Sequence, residues 1–142
     1  MSRPELHLDN QLCFPLYALS RQITRLYQPL LSALGLTYPQ YIVMMILWQQ
    51  GASSVSAIGD KAMLNTNTLT PLLKRLEQLG LIERNRSLDD ERGVMIAPSA
   101  KGEALAQDCA CIPQAMLAKM GMAETEVRAF KQQLDTILEK LR

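Results

Sequence analysis

Leu69, Leu72, Leu73 and Leu76 stand at i, i+3, i+4 and i+7, the spacing of one face of a helix. Asn65 precedes them as a helix cap and Gly80 follows as a left-handed terminator, so both ends of this helix are marked. Two short apolar segments come next, Leu81 to Arg86 and Gly93 to Ala97. They are joined by the polar tip Ser87-Leu88-Asp89-Asp90-Glu91-Arg92 and read as a β-hairpin. Ahead of the leucine helix, the turn Gly51-Ala52-Ser53-Ser54 leads into a short helix, Val55 to Met63, that carries Val55, Ile58 and Met63. Short helix, tight turn, capped helix and hairpin, in that order, define a winged helix-turn-helix.

The rest of the chain reads as helical. Leu12, Leu16, Leu19, Ile23, Leu26 and Leu30 recur at helical spacing. Pro15 belongs in a first turn, so that helix begins a few residues earlier, and Pro29 should kink or end it. Thr37-Tyr38-Pro39-Gln40 is a capping box with proline in the first turn. The run Tyr41 to Trp48 behind it is apolar nearly all round, which predicts a central, buried helix. Ser99 should cap a long fifth helix bent at Pro113. Glu124 to Leu141 is a last amphipathic helix with Val127, Phe130, Leu134, Ile137, Leu138 and Leu141 on one stripe. The expected class is mainly α with a small β-hairpin wing.

Composition narrows the function. The chain has 142 residues, 48% apolar and 20% charged, enough for one domain with a proper core. Its longest unbroken apolar stretch, Tyr41 to Trp48, is far short of the roughly 20 residues of a membrane span. The start Met-Ser-Arg-Pro-Glu has no apolar segment, so a cytoplasmic protein is expected. The single histidine, His7, argues against histidine-dependent hydrolases and metal sites, and three cysteines with no C-x-x-C pair argue against a disulfide scaffold or a zinc site. No cofactor and no metal are expected. A net charge of +1 means that any nucleic-acid contact depends on local placement of charge.

That placement is visible on the leucine helix. Asn67, Thr70, Lys74 and Gln78 fall opposite Leu69 and Leu76, and Thr66 and Thr68 stand in its first turn. Short polar donors and a cation on an exposed face suit base edges and phosphates in a major groove. The hairpin supplies Arg84, Arg86 and Arg92, and an arginine at a wing tip fits the minor groove, with Asp90 orienting Arg92. Polar residues opposite a core stripe are also the default for any surface helix. From Lys74 to Arg92 basic and acidic side chains balance at five each, so charge alone does not decide.

Cys13 lies near the start of the first helix between Leu12 and Phe14. A cysteine so flanked is commonly a small buried hydrophobe. A helix N-terminus, however, favours a thiolate, and Tyr17 at i+4 shares its face. Tyr27 lies near the same face at i+14, but about 21 Å along the helix, so it reaches a Cys13 only from an antiparallel partner. Cys109 and Cys111 point about 200° apart on a helix and do not pair with each other. Cys109 shares a stripe with Leu105, Ile112 and Met116 and is expected in the core, Cys111 at the surface. Either is a candidate resolving thiol for an oxidised Cys13.

Together these residues resemble the MarR family of winged-helix repressors, and within it the organic hydroperoxide resistance regulators. The resemblance runs from about Leu6 to Leu117. It rests on Leu8-Asp9-Asn10-Gln11-Leu12-Cys13-Phe14, Leu36-Thr37-Tyr38-Pro39-Gln40-Tyr41, the proline-containing Thr68-Leu69-Thr70-Pro71-Leu72-Leu73-Lys74-Arg75-Leu76, and the wing motif Asp90-Glu91-Arg92. It implies a single MarR-type domain in which about 8–36 and 100–142 dimerise and about 37–98 form the winged helix-turn-helix. It implies a homodimer on a palindromic operator that releases double-stranded DNA when an organic hydroperoxide oxidises Cys13. By the same likeness Tyr17, Tyr27 and Tyr38 support the sulfur, the last two from the other subunit. The expected DNA contacts are Thr66, Asn67, Thr68, Thr70, Lys74, Arg75, Arg86 and Arg92, although Asn65-Thr66-Asn67 departs from the family's more usual Asp-Ser-Gly. Two-cysteine members of the subfamily carry their second thiol near the position of Ala118. Here oxidation would end at Cys109 or Cys111, in a mixed disulfide with a small thiol, or in over-oxidation. Two rivals stand beside this reading: a repressor released by an aromatic or phenolic ligand, and a small thiol peroxidase. The chain carries no placed base or arginine near Cys13 to serve the second.

Overall fold

The computed structural model describes residues 2–86 and 93–142. Among the described residues, seven α-helices and a three-stranded antiparallel sheet follow two short 3-10 turns, Pro4–Leu6 and Leu8–Asn10. Contacts group the chain into two compact units, Met1–Cys109 and Ala110–Arg142.

In the first unit α1 (Cys13–Ser32) has Pro15 in its first turn, as the sequence predicts. Pro29 does not end it: the helix runs through to Ser32 and closes at Gly35 (φ +76°), where the Leu36 amide donates to the Leu31 carbonyl. A proline so near the C-terminus costs one backbone bond without stopping the last turn. Helix α2 (Tyr38–Gln50) opens on the expected capping box, with Thr37 and Gln40 exchanging both bonds. Tyr41, Val43, Met44, Ile46 and Leu47 are buried, so this helix is the middle of the core.

Helices α3 (Val55–Ala62) and α4 (Thr66–Gln78) form the helix-turn-helix. Ser54 and Asn65 cap them, each side-chain oxygen accepting an amide three residues on. Leu69, Leu73 and Leu76 are fully buried and Gly80 terminates α4 at φ +76°, with the Leu81 amide donating to the Leu76 carbonyl. Strands β2 (Ile82–Arg86) and β3 (Val94–Pro98) pair antiparallel from Ile82 opposite Pro98 to Arg86 opposite Val94. The turn before α3 also contains a strand: β1 (Ser53–Ser54) pairs with β3, placing β3 in the centre. Two serines carry no strand pattern; the backbone pairing alone makes them one.

The fifth helix is not bent at Pro113 but divided. Helix α5 (Ala100–Cys109) ends, and α6 (Ile112–Met120) starts with Pro113 in its first turn, the place where a missing amide costs least. Helix α7 (Glu124–Leu141) buries none of its residues. Among the described residues, no helix is long and apolar enough to cross a membrane.

Candidate functional site

Cys13 is the first residue of α1 and is exposed. Near it Leu12 (74% accessible), Leu16 and Leu19 form an exposed apolar stripe, and Phe14 and Tyr17 are exposed on other sides of the helix. Tyr17 is exposed and lies under the Arg21 guanidinium, 5.4 Å from ring centroid to Cζ.

Tyr27 and Tyr38 come together elsewhere. Their rings stack at 4.5 Å, and Tyr41 tilts against both, at 5.9 Å from Tyr27 and 6.4 Å from Tyr38. Because α1 is unbroken from Cys13 to Tyr27, the pair stands about 21 Å along the helix from the thiol of its own chain. Burial first, then the neighbouring Tyr38 and Tyr41 hydroxyls and a hydrogen bond with Tyr38, push the Tyr27 phenol up to about 12. Tyr27 thus keeps its proton as a donor throughout the working pH range. The sign follows: the folded state holds this proton more tightly, so the stability it contributes is complete below pH 10 and is lost as pH rises through about 12. Absorbance at 295 nm should show a phenol titration near pH 12 that Tyr27→Phe removes.

Cys109 ends α5 and is 3% accessible; Cys111 precedes α6 and is exposed. They do not share one helix, as the sequence spacing suggested, because the chain breaks between them.

On α4, Thr66, Asn67, Thr68, Thr70, Lys74 and Arg75 are all exposed, with Asn67, Thr70 and Lys74 on the side away from the buried leucines. Asn65 caps the helix where Thr66 and Thr68 stand. Arg86 is exposed at the end of β2. Arg84, which the sequence offered to DNA, is instead bonded to Glu77 of α4 (Nε to Oε1, 3.3 Å) and ties the strand to the helix. Asp90 and Arg92 lie outside the described residues. Nothing in a uniformly apolar run marks the contact of Tyr41 with the tyrosine pair, or of Trp48 with Tyr41.

A capped, exposed polar helix held by a helix-turn-helix and flanked by a β-hairpin defines a winged-helix DNA-binding protein. Residues 25–109 match the family model described as transcriptional regulator SarA/Rot. The organic hydroperoxide resistance transcriptional regulator of Bacillus subtilis is 43% identical over 96% of this chain and 92% of that protein. AbfR of Staphylococcus epidermidis, solved reduced and bound to DNA, is 32% identical with a TM-score of 0.79 over 97% of this chain and 96% of that one. Its disulfide-formed structure is 33% identical with a TM-score of 0.63 over 94% of each chain. Apo MarR of E. coli, 22% identical, shares the fold with a TM-score of 0.74 over 90% of this chain and 97% of that one. The chain belongs to the transcriptional-regulator family of the SarA/Rot model and, within it, with the organic hydroperoxide resistance regulators, and it shares its fold with MarR. These relatives are regulators, not enzymes, which removes the thiol peroxidase reading.

Proposed function

We propose that this protein is a cytoplasmic, homodimeric repressor that senses organic hydroperoxides through Cys13 and then releases a palindromic operator. One observation carries the reading: the thiol opens α1, while Tyr27, stacked on Tyr38 of α2, stands about 21 Å further along that same helix, too far to serve its own Cys13. An antiparallel partner would bring Tyr27 and Tyr38 of one subunit to Cys13 of the other. The exposed apolar faces of α1 and α7 are the surfaces such a partner would cover. The Bacillus relative is named for organic hydroperoxide resistance, and AbfR has been solved reduced on DNA and with a disulfide formed.

In the chemical step the Cys13 sulfur attacks the terminal oxygen of the hydroperoxide. An S–O bond forms, the O–O bond breaks, and two electrons pass from sulfur to peroxide. The alkoxide leaves as an alcohol on taking a proton, for which Tyr27 is a donor. The sulfenic acid is bulkier than the thiolate and disturbs the tyrosine contacts, which shifts the dimer away from the helix spacing that fits DNA. Cys111, at the surface, is the better placed resolving thiol; Cys109 would need α5 to open.

On the DNA side, Thr66, Asn67, Thr68 and Thr70 would read base edges, with Lys74, Arg75, Arg86 and Arg92 holding phosphates and the minor groove. Asp90 would orient Arg92. Lys74→Ala should weaken operator binding uniformly across sequences and lower the slope of log K against log salt by about 1. Fluorescence anisotropy on a labelled palindrome from the protein's own promoter tests the whole reading. Cumene hydroperoxide should release DNA near one equivalent per subunit, and an unchanged anisotropy at that dose would refute it.

A second reading keeps one observation. A cleft of about 260 Å³ beside Tyr38, lined by Thr24, Gln28, Leu31, Leu36 and Pro39, would suit a small aromatic or phenolic ligand. A reversible ligand would release the protein whatever the state of Cys13.

A further inference from the structure

We propose that Trp48 is the positioning residue that joins the sensor tyrosines to the trailing end of the recognition helix. This rests on the sensor reading above. Trp48, the chain's single tryptophan, has two attachments. Its ring meets Tyr41 edge-on at 6.5 Å, and Tyr41 leans on both Tyr27 and Tyr38. Its indole N–H donates to the Gly102 carbonyl at 2.9 Å, across 54 residues of sequence.

Gly102, in the first turn of α5, packs against Leu81 in the segment that follows α4. A Cβ there would lie 2.1 Å from the Leu81 carbonyl oxygen, so the backbones of α5 and of the α4–β2 junction are in direct contact. Three more bonds close the same junction. The Gly102 amide donates to the Ser99 hydroxyl, that hydroxyl donates to the Gly80 carbonyl, and the Lys101 ammonium donates to the Leu79 carbonyl at 2.9 Å. Leu79, Gly80 and Leu81 are the residues that terminate the recognition helix and begin the wing.

One side chain therefore touches the tyrosine cluster with its ring and, with its N–H, the Gly102 carbonyl of α5, whose backbone packs against Leu81 just after the DNA-reading helix. Close-packed interiors shift between discrete arrangements rather than deform smoothly, so a displaced Tyr27–Tyr38 pair moves Tyr41 and Trp48 with it. The Gly102 bond passes that movement to the α4 terminus.

The test uses the full-length protein and its operator, with Cys13 oxidation followed by thiol titration in parallel. Trp48→Phe keeps the ring contact and deletes the donor. Reduced Trp48→Phe should bind operator within about threefold of wild type and oxidise at the same rate. Its loss of affinity on oxidation should be about tenfold smaller than that of wild type. In wild type the Trp48 emission should shift as DNA is released. Tyr41→Leu, which leaves the indole donor in place, should blunt release in the same way and serves if the first variant fails to fold. Oxidised Trp48→Phe that releases DNA as fully as wild type overturns the proposal. So does equal weakening of the reduced and oxidised forms, which would mark a merely structural tryptophan, or an emission that does not change on release. If wild type is itself not released when Cys13 is oxidised, the sensor reading fails and the proposal falls with it.

Discussion

Cys13→Ser protein should remain on its operator at a dose of cumene hydroperoxide that strips wild type from the same DNA. Serine keeps the size and place of the side chain at the start of α1 but offers no sulfur to oxidise by two electrons. The reduced mutant should bind like wild type, because the exposed Cys13 lies outside the recognition helix and supports no core contact of its own chain. The difference then appears wholly after oxidation. Couplings of this kind change affinity by about 5- to 150-fold, and the mutant should show none of that change. Anisotropy with the two proteins side by side reads it. Release of the serine variant by peroxide would assign sensing to another group, and release of both by a phenol would favour the cleft beside Tyr38.

Gly102→Ala should be the most damaging small substitution in the first unit. The added Cβ would lie 2.1 Å from the Leu81 carbonyl oxygen, a backbone atom that already accepts the Ser99 amide. Met44 Cε, at 3.2 Å, closes the other side. Neither backbone can give without opening the α4–β2 junction or the start of α5. A cost of about 3 kcal/mol is expected, seen as a fall of about 10 °C in the unfolding midpoint by circular dichroism. Gly35→Ala is the control. Its φ of +76° is strained for alanine, but nothing lies within 4 Å of the new Cβ, so the cost is confined to about 1–2 kcal/mol of backbone strain. Equal midpoints for the two variants would refute the steric account.

The difference between those two glycines shows where sequence reasoning stops. Gly80 is legible because a glycine after an apolar helical run announces a left-handed terminator, and Gly35 is of the same local kind. Gly102 lies inside a helix, and its need for a bare backbone arises from a strand start 21 positions away. The caps at Thr37, Asn65 and Ser99, the leucine stripe, and the strands at Leu81–Arg86 and Gly93–Ala97 were readable for the same local reason. Each satisfies its own backbone or its own periodicity within a few residues. Pro29 and Pro113 misled because a proline states which bond is missing, not whether neighbouring turns continue. The partition of Arg84 to Glu77 was invisible, since both a free and a paired arginine look alike in a balanced run of charge.

The sequence by itself determined the helix-turn-helix, the exposed polar face of α4, and the 21 Å that separates Cys13 from Tyr27 on one helix, all consequences of residue spacing. Only the tertiary structure decided which tyrosines stack, that Ser53 and Ser54 complete the sheet, and that Trp48 reaches Gly102. Those contacts join residues remote in sequence, and their energy comes from packing and desolvation that no local pattern encodes.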